Sequence, residues 1–180
     1  YVLGGGGSQT AAIAFGGART PGPNSQAVTE LYDGTSWTEV NDLNTARERC
    51  SSAATTNTAS LCIAGVVYPG ASNQNVTENW NGTNWTEVND TNISEGGRFG
   101  FGTPSAAVVA GGGTSSMNET ETWNGTNWSN SPATLNTGRK DNEGGSSGTS
   151  TAGIIAGGNN GASYAQTELW NGSAWTEVND

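Results

Sequence analysis

A ten-residue phrase, Thr-Glu-x-[Tyr/Trp]-[Asp/Asn]-Gly-[Thr/Ser]-x-Trp-[Thr/Ser], occurs four times in this chain. The copies are AVTELYDGTSWTEVND from Ala27, NVTENWNGTNWTEVND from Asn75, NETETWNGTNWSNSP from Asn118 and AQTELWNGSAWTEVND from Ala165. Their second aromatics are Trp37, Trp85, Trp128 and Trp175, at spacings of 48, 43 and 47. A chain that repeats at a fixed period stacks like units, because one unit cannot bury its apolar face alone. This excludes most folds before any other feature is weighed.

Each phrase follows a small apolar run that closes on glycine. These runs are AAIAFGG (Ala11 to Gly17), LCIAGV (Leu61 to Val66), AAVVAGGG (Ala106 to Gly113) and AGIIAGG (Ala152 to Gly158). An arginine lies between one phrase and the next run: Arg47 or Arg49, then Arg98, then Arg139. It sits in linking phrases such as LNTAR (Leu43 to Arg47) and LNTGR (Leu135 to Arg139). A period of this length suits four-stranded units. Strand 1 follows the arginine (Tyr1 to Gly7 in the first unit), and strand 2 is the apolar run. Strand 3 is Thr-Glu-x-aromatic, and strand 4 is Trp-Thr-Glu-Val. Asp33-Gly34, Asn81-Gly82, Asn124-Gly125 and Asn171-Gly172 join strands 3 and 4, as expected of hairpin turns that need positive φ. Strand 2 hardly alternates and should be buried on both faces. In strand 4, Trp37 and Glu39 share one face, and Thr38 and Val40 the other.

Composition agrees with short strands and tight turns. Glycine is 28 of 180 residues, about twice its usual share of roughly 7%. Gly and Asn tolerate turns, Thr favours strands, and all three are poor helix formers. Six Lys+Arg against 16 Asp+Glu give a net charge of −10. No basic cluster is present in the sequence to release counterions from nucleic acid or to hold an anionic membrane. No apolar run reaches the roughly 18–20 residues of a membrane span. The chain starts at Tyr1, so it reads as mature or excised sequence and its targeting is not legible.

There is no histidine, which removes the commonest general base and metal ligand. No cofactor is expected. Cys50 and Cys62 form no CxxC pair, and they read as small apolar strand residues, a disulfide being the minor alternative. Asp141-Asn142-Glu143-Gly144-Gly145 lacks the oxygen spacing of a calcium loop. Gly4 to Gly7 lacks the Lys-Ser/Thr of a phosphate loop and reads as a strand leaving room for a neighbour or a channel. The Asn-x-Ser/Thr triplets at Asn75, Asn81, Asn84, Asn92, Asn118, Asn124, Asn127 and Asn171 read as by-products of turn chemistry.

The unit resembles the kelch repeat of β-propellers. That pattern has a diglycine after a hydrophobic strand, then Glu-x-Tyr, then Trp, then an arginine opening the next unit. Here it reads Gly16-Gly17, Glu30-x-Tyr32, Trp37, Arg47, with Trp80, Trp123 and Trp170 for Tyr in later units and Gly65-Val66 for the second diglycine. The Asn-Gly-Thr-x-Trp-Thr-Glu-Val-Asn-Asp version is similar to arrays in bacteriophage and marine bacterial proteins, often virion appendages. The resemblance implies an all-β fold of four four-stranded blades, approximately 1–47, 48–97, 98–138 and 139–180. Because four blades make an unusual ring, the segment is expected to belong to a longer array or to combine with a second copy.

Expected structural positions are Glu30, Glu78, Glu121 and Glu168, paired with Arg47, Arg98 and Arg139 between strands or blades, and the core tryptophans Trp37, Trp85, Trp128 and Trp175. The first aromatic series, Tyr32, Trp80, Trp123 and Trp170, abuts the turn and is open to either core or ligand stacking. Glutamates that recur once per unit do not converge as a catalytic carboxylate pair. A kelch-fold oxidase would need copper-ligating histidines. The expectation is a non-enzymatic structural or adhesive module on a virion, or otherwise extracellular at a cell surface. Its partners would be a cell-surface glycan or receptor, other virion proteins, further blades or a second copy. The alternative is an intracellular or secreted protein–protein interaction module. Ligand-facing loops are expected at Ala18 to Ala27, Tyr68 to Asn75, Thr114 to Met117 and Asn159 to Ala165, with Arg19, Asn24, Tyr68, Asn73, Ser116, Asn160 and Tyr164 as candidate contacts.

Overall fold

The computed structural model describes residues 2–19, 24–113, 118–140 and 144–179. They form an all-β structure of four antiparallel four-stranded sheets, one per repeat. Sheet 1 holds β1 (Gly4–Ser8), β2 (Ala11–Phe15), β5 (Thr29–Tyr32) and β6 (Trp37–Val40), with a two-stranded hairpin of β3 (Ala18–Arg19) and β4 (Asn24–Ser25) inserted after β2. Sheet 2 holds β7 (Ser51–Thr56), β8 (Ala59–Val67), β9 (Ser72–Trp80) and β10 (Trp85–Val88). Sheet 3 holds β11 (Phe99–Thr103), β12 (Ala106–Ala110), β13 (Thr120–Trp123) and β14 (Trp128–Asn130). Sheet 4 holds β15 (Gly145–Thr149), β16 (Ala152–Ala156), β17 (Thr167–Trp170) and β18 (Trp175–Val178).

The four sheets pack in chain order. The first strands lie side by side, β1 against β7, β7 against β11 and β11 against β15. Hydroxyls tie them together: Ser52 donates to the Gly5 carbonyl, Ser51 to that of Arg98 and Ser146 to that of Gly100. Only small residues permit this approach. A Cβ on Gly6 would lie 2.9 Å from that of Ala54, and one on Gly100 2.8 Å from that of Ser51. Strand 1 of the first sheet spans Gly4–Ser8, and Tyr1 lies outside the described residues.

Three apolar layers separate the sheets. Between sheets 1 and 2 lie Ile13, Phe15 and Leu43 against Cys62, Trp80 and Trp85. Between sheets 2 and 3 lie Leu61 and Ile63 against Ala107, Val109, Trp123 and Trp128. Between sheets 3 and 4 lie Phe99, Phe101 and Val108 against Ile155, Trp170 and Trp175. The first aromatic series therefore belongs to the core in units 2 to 4. Trp80, Trp123 and Trp170 are buried, and each indole N–H caps the strand 1–2 turn of its own sheet, at Asn57, Pro104 and Ser150.

Strand 2 is buried on both faces in β8 and β12, as expected, but β2 and β16 have a more open face. The reason is position: sheets 1 and 4 each have a neighbour from this chain on one side only. The same cause moves Trp37, expected in the core, to 49% exposure, against 5–7% for its three counterparts.

In the strand 3–4 connections Tyr32 pairs with Trp37 and Trp80 with Trp85, so the loops have the four residues that the strand bounds read from the sequence leave, but the basis of their Asx-Gly pair differs from the expectation. Only the glycine takes positive φ, between 92° and 96° in the four loops. Asp33, Asn81, Asn124 and Asn171 are selected by their side chains instead. Each Oδ1 accepts the backbone N–H groups two and three residues on, at 2.8–3.0 Å, a local cap that Asx residues supply. These backbone donors hold the Asp33 carboxyl below its ordinary pKa, Ser36 first and then Thr35.

Candidate functional site

The meander places two kinds of loop at opposite ends of each sheet. At one end the strand 1–2 turn meets the strand 3–4 turn: Gly34 lies against Thr10, Gly82 against Thr58, Gly125 against Ser105 and Gly172 against Thr151. At the other end lie the strand 2–3 loops and the links between sheets. Chemistry-bearing side chains gather in two places, at the sheet junctions and at this second end.

The junctions account for the repeated charges. Arg47 pairs with Glu78 at 3.1 Å, Arg139 with Glu168 at 2.7 Å, and Arg98 with Glu121, all six side chains fully buried. Each arginine belongs to a link and each glutamate to the following sheet. The carboxylates take further donors. Asn44 donates its backbone N–H and its amide to Glu78, Asn92 does so to Glu121 and Asn136 to Glu168, at 2.6–2.9 Å. Burial pulls the Arg98 pKa down, and the Glu121 carboxylate beside it opposes that pull. The sequence signal for these asparagines is the LNT that recurs before Arg47 and Arg139.

Three of the second-series indoles, those of units 2 to 4, cross a junction too. Trp85 donates to Thr29 Oγ1 at 2.9 Å, Trp128 to Thr77 at 3.1 Å and Trp175 to Thr120 at 3.0 Å. The threonine opening the Thr-Glu phrase is thus the acceptor for the next unit's tryptophan. The diglycine has a related cause. Gly112 has φ +95°, and a Cβ there would lie 2.3 Å from Arg98 Cγ, so the residue makes room for the link arginine. Glu30 departs from the expected pairing. It is exposed on the outer face of sheet 1, the face turned away from sheet 2.

Cys50 and Cys62 are free thiols buried between sheets 1 and 2. Cys62 pairs in register with Ser52, so the two are not cross-strand partners, yet their side chains meet. Burial pushes the Cys62 thiol well up, and the Cys62 hydrogen bond draws Cys50 down. Arg47 Nε donates to Cys62 Sγ at 3.2 Å.

The loop end carries a cleft of about 330 Å³ lined by Arg49, Val66, Tyr68, Ala71, Asn73 and Lys140, with Gly96 and Gly113 in its floor. The β8–β9 hairpin is longer than its counterparts and brings Tyr68, Ala71 and Asn73 to the cleft. Ser25 holds it, accepting the Tyr68 N–H at 2.8 Å while its hydroxyl donates to the Val66 carbonyl. Asn73 donates to Glu95 at 2.8 Å. Arg19 and Asn24 pair in the β3–β4 hairpin at the same end, both exposed. Asn160 is exposed and Tyr164 half-buried in the fourth loop, where the Tyr164 N–H donates to Gly158. Ser116 and the segment Asp141 to Glu143 lie outside the described residues.

Tyr68 and Asn73 therefore share one cleft, while Arg19, Asn24, Asn160 and Tyr164 stand apart from it. Arg49 and Lys140 were not expected there. Their signal was positional, since each follows a link arginine within two residues. The chain has six cationic side chains. Arg47, Arg98 and Arg139 go into the junctions, and Arg19, Arg49 and Lys140 all lie at the loop end. Among the described residues no three His, Cys, Asp or Glu side chains are grouped to hold a metal ion. Searches of known families and of curated proteins find no match to this chain.

Proposed function

We propose that this chain is a kelch-type β-propeller segment that serves as a non-enzymatic display module. In this reading the four sheets are blades around an axis, and the loop-end cleft binds a cell-surface glycan or receptor. The observation that carries it is the segregation of charge. In a chain of net charge −10, each cation outside the three junction pairs is at the loop end, two of them in one cleft with a tyrosine and an asparagine, Arg49 there also reaching Glu48 at 3.7 Å. An aromatic face, an amide and cations are a suitable set for a polar ligand bearing negative charge. The propeller arrangement is supported by the order of the inner strands, all four of which line one cavity of about 370 Å³. Three of the four glutamates that might have served as acid–base groups, Glu78, Glu121 and Glu168, are held by arginine and asparagine at the junctions. A virion or cell-surface location follows from the display role.

The test is a glycan array probed with the chain in multivalent form, because single-site binding is expected to be weak and raised by avidity. Binding that Tyr68→Ala and Lys140→Ala each reduce at least tenfold supports the reading. A blank array with an intact multivalent probe refutes the glycan-binding role.

A further inference from the structure

The three filled junctions define what the outer faces of sheets 1 and 4 are built to hold. In each, the later sheet presents its second tryptophan, its glutamate and two small or apolar strand-2 residues. The earlier sheet presents a threonine acceptor and apolar strand-2 side chains: Ile13 and Phe15, Leu61 and Ile63, or Val108 and Ala110. In sheet 1, Leu31 and Val40 join Thr29 and Ile13 on the face turned to sheet 2.

The two unfilled halves of such a junction are both on this chain. The outer face of sheet 1 carries Ala12, Ala14, Glu30 and Trp37, which with Leu3 line a shallow hollow of about 530 Å³. Trp37 is the one indole of its series without a described threonine acceptor. The outer face of sheet 4 carries Ile154, Leu169, Thr167 and Val178, joined in register. Ile154 is 39% exposed and Leu169 42%, whereas Ile13, the equivalent of Ile154, is 2% exposed. Large apolar side chains left open on a flat sheet face mark a contact surface.

We propose that these faces dock on each other between two copies of this chain, sheet 4 of one copy covering sheet 1 of the other. Thr167 then accepts from Trp37 of the second copy, as Thr29, Thr77 and Thr120 accept within the chain. The contact is head-to-tail, so two copies close at both ends, giving eight sheets, within the range of propeller rings. Closure rests on the propeller reading; the pairing of faces rests on the junctions alone. A blank glycan array leaves this pairing intact, and a monomeric mass leaves glycan binding intact.

The experiment is sedimentation of the chain over a range of concentrations. The expected mass is twice 18.3 kDa, with Trp37 protected from quenching in the dimer. Ala14→Arg blocks one face and Leu169→Glu the other. Each alone is expected to weaken the dimer at least tenfold, and an equimolar mixture recovers it through one intact junction. Both positions are outside the filled layers, and circular dichroism checks that each variant folds. A monomer at all concentrations, an assembly larger than two copies, a dimer indifferent to both substitutions, or a mixture that stays monomeric overturns the proposal.

Discussion

Replacing Arg98 with Met leaves the Glu121 carboxylate fully buried without its cation. Removing one member of a buried ion pair costs about 3–5 kcal/mol, mostly because the remaining charge is uncompensated. Glu121→Leu strands the Arg98 guanidinium in the same way and also removes the acceptor for Asn92. Asn92 is exposed, so water replaces its two bonds to the carboxylate at about 1 kcal/mol each. The double variant removes both charges and fills the space with carbon. It is expected to cost only about 1–2 kcal/mol, since apolar replacement of a buried pair is often neutral. For a chain of this length 1 kcal/mol moves Tm by about 2–4 °C. Arg98→Met should therefore lower Tm by roughly 6–20 °C, and the double variant should recover most of that. Guanidinium denaturation of the four species gives the coupling energy directly. A single variant within 1 kcal/mol of the parent, or a double variant costing the sum of the singles, refutes the argument that the pair is held by mutual compensation.

Gly112→Ala meets both a positive φ, about 1–2 kcal/mol, and a clash with Arg98, whereas Gly70→Ala, with φ +116° and open space around its Cβ, meets the first alone; thermal melts should rank Gly112→Ala clearly the worse. Trp128→Phe removes the bond to Thr77 and should cost about 1–3 kcal/mol, while Trp37→Phe at low concentration should cost under 0.5 kcal/mol, both read by denaturation. Neither Cys50 nor Cys62 should react with a thiol reagent in the native chain, and two equivalents should react after unfolding. The folded-state pKa of Asp33 is below its unfolded value near 3.8, so its contribution is present above that value and is lost as pH falls through the folded pKa. Asp33→Asn keeps the turn, as in the other three units, and should flatten that part of the stability profile below about pH 4.

The sheet plan was legible because three signals agree in each unit: an apolar strand ending in glycine, a Thr-Glu-x-aromatic strand and an Asx-Gly loop. The Arg–Glu pairing was legible as well, because a charge recurring at one phase needs a partner recurring at the same phase. What the sequence hid was position within the array. Trp37 and Trp85 have identical local context, Trp-Thr-Glu-Val, yet one is exposed and the other buried, since burial depends on a neighbouring sheet. The turn asparagines were read by backbone angle when their side-chain oxygen is what the loop uses; both explanations favour Asn-Gly, so the letters do not separate them. The cleft was half legible. Tyr68 and Asn73 stand out in an irregular loop, but Arg49 and Lys140 reach it from links distant in sequence, and only the packing of sheets brings them together.

The central claim is that recognition occurs at the loop end. It is tested most directly by amide chemical-shift mapping of the labelled chain with a glycan identified on the array. The account predicts shifts concentrated at Arg49, Tyr68, Ala71, Asn73, Gly96 and Gly113, with the opposite turns at Gly34, Gly82, Gly125 and Gly172 unmoved. Shifts confined to those turns, with the cleft unmoved, would contradict it.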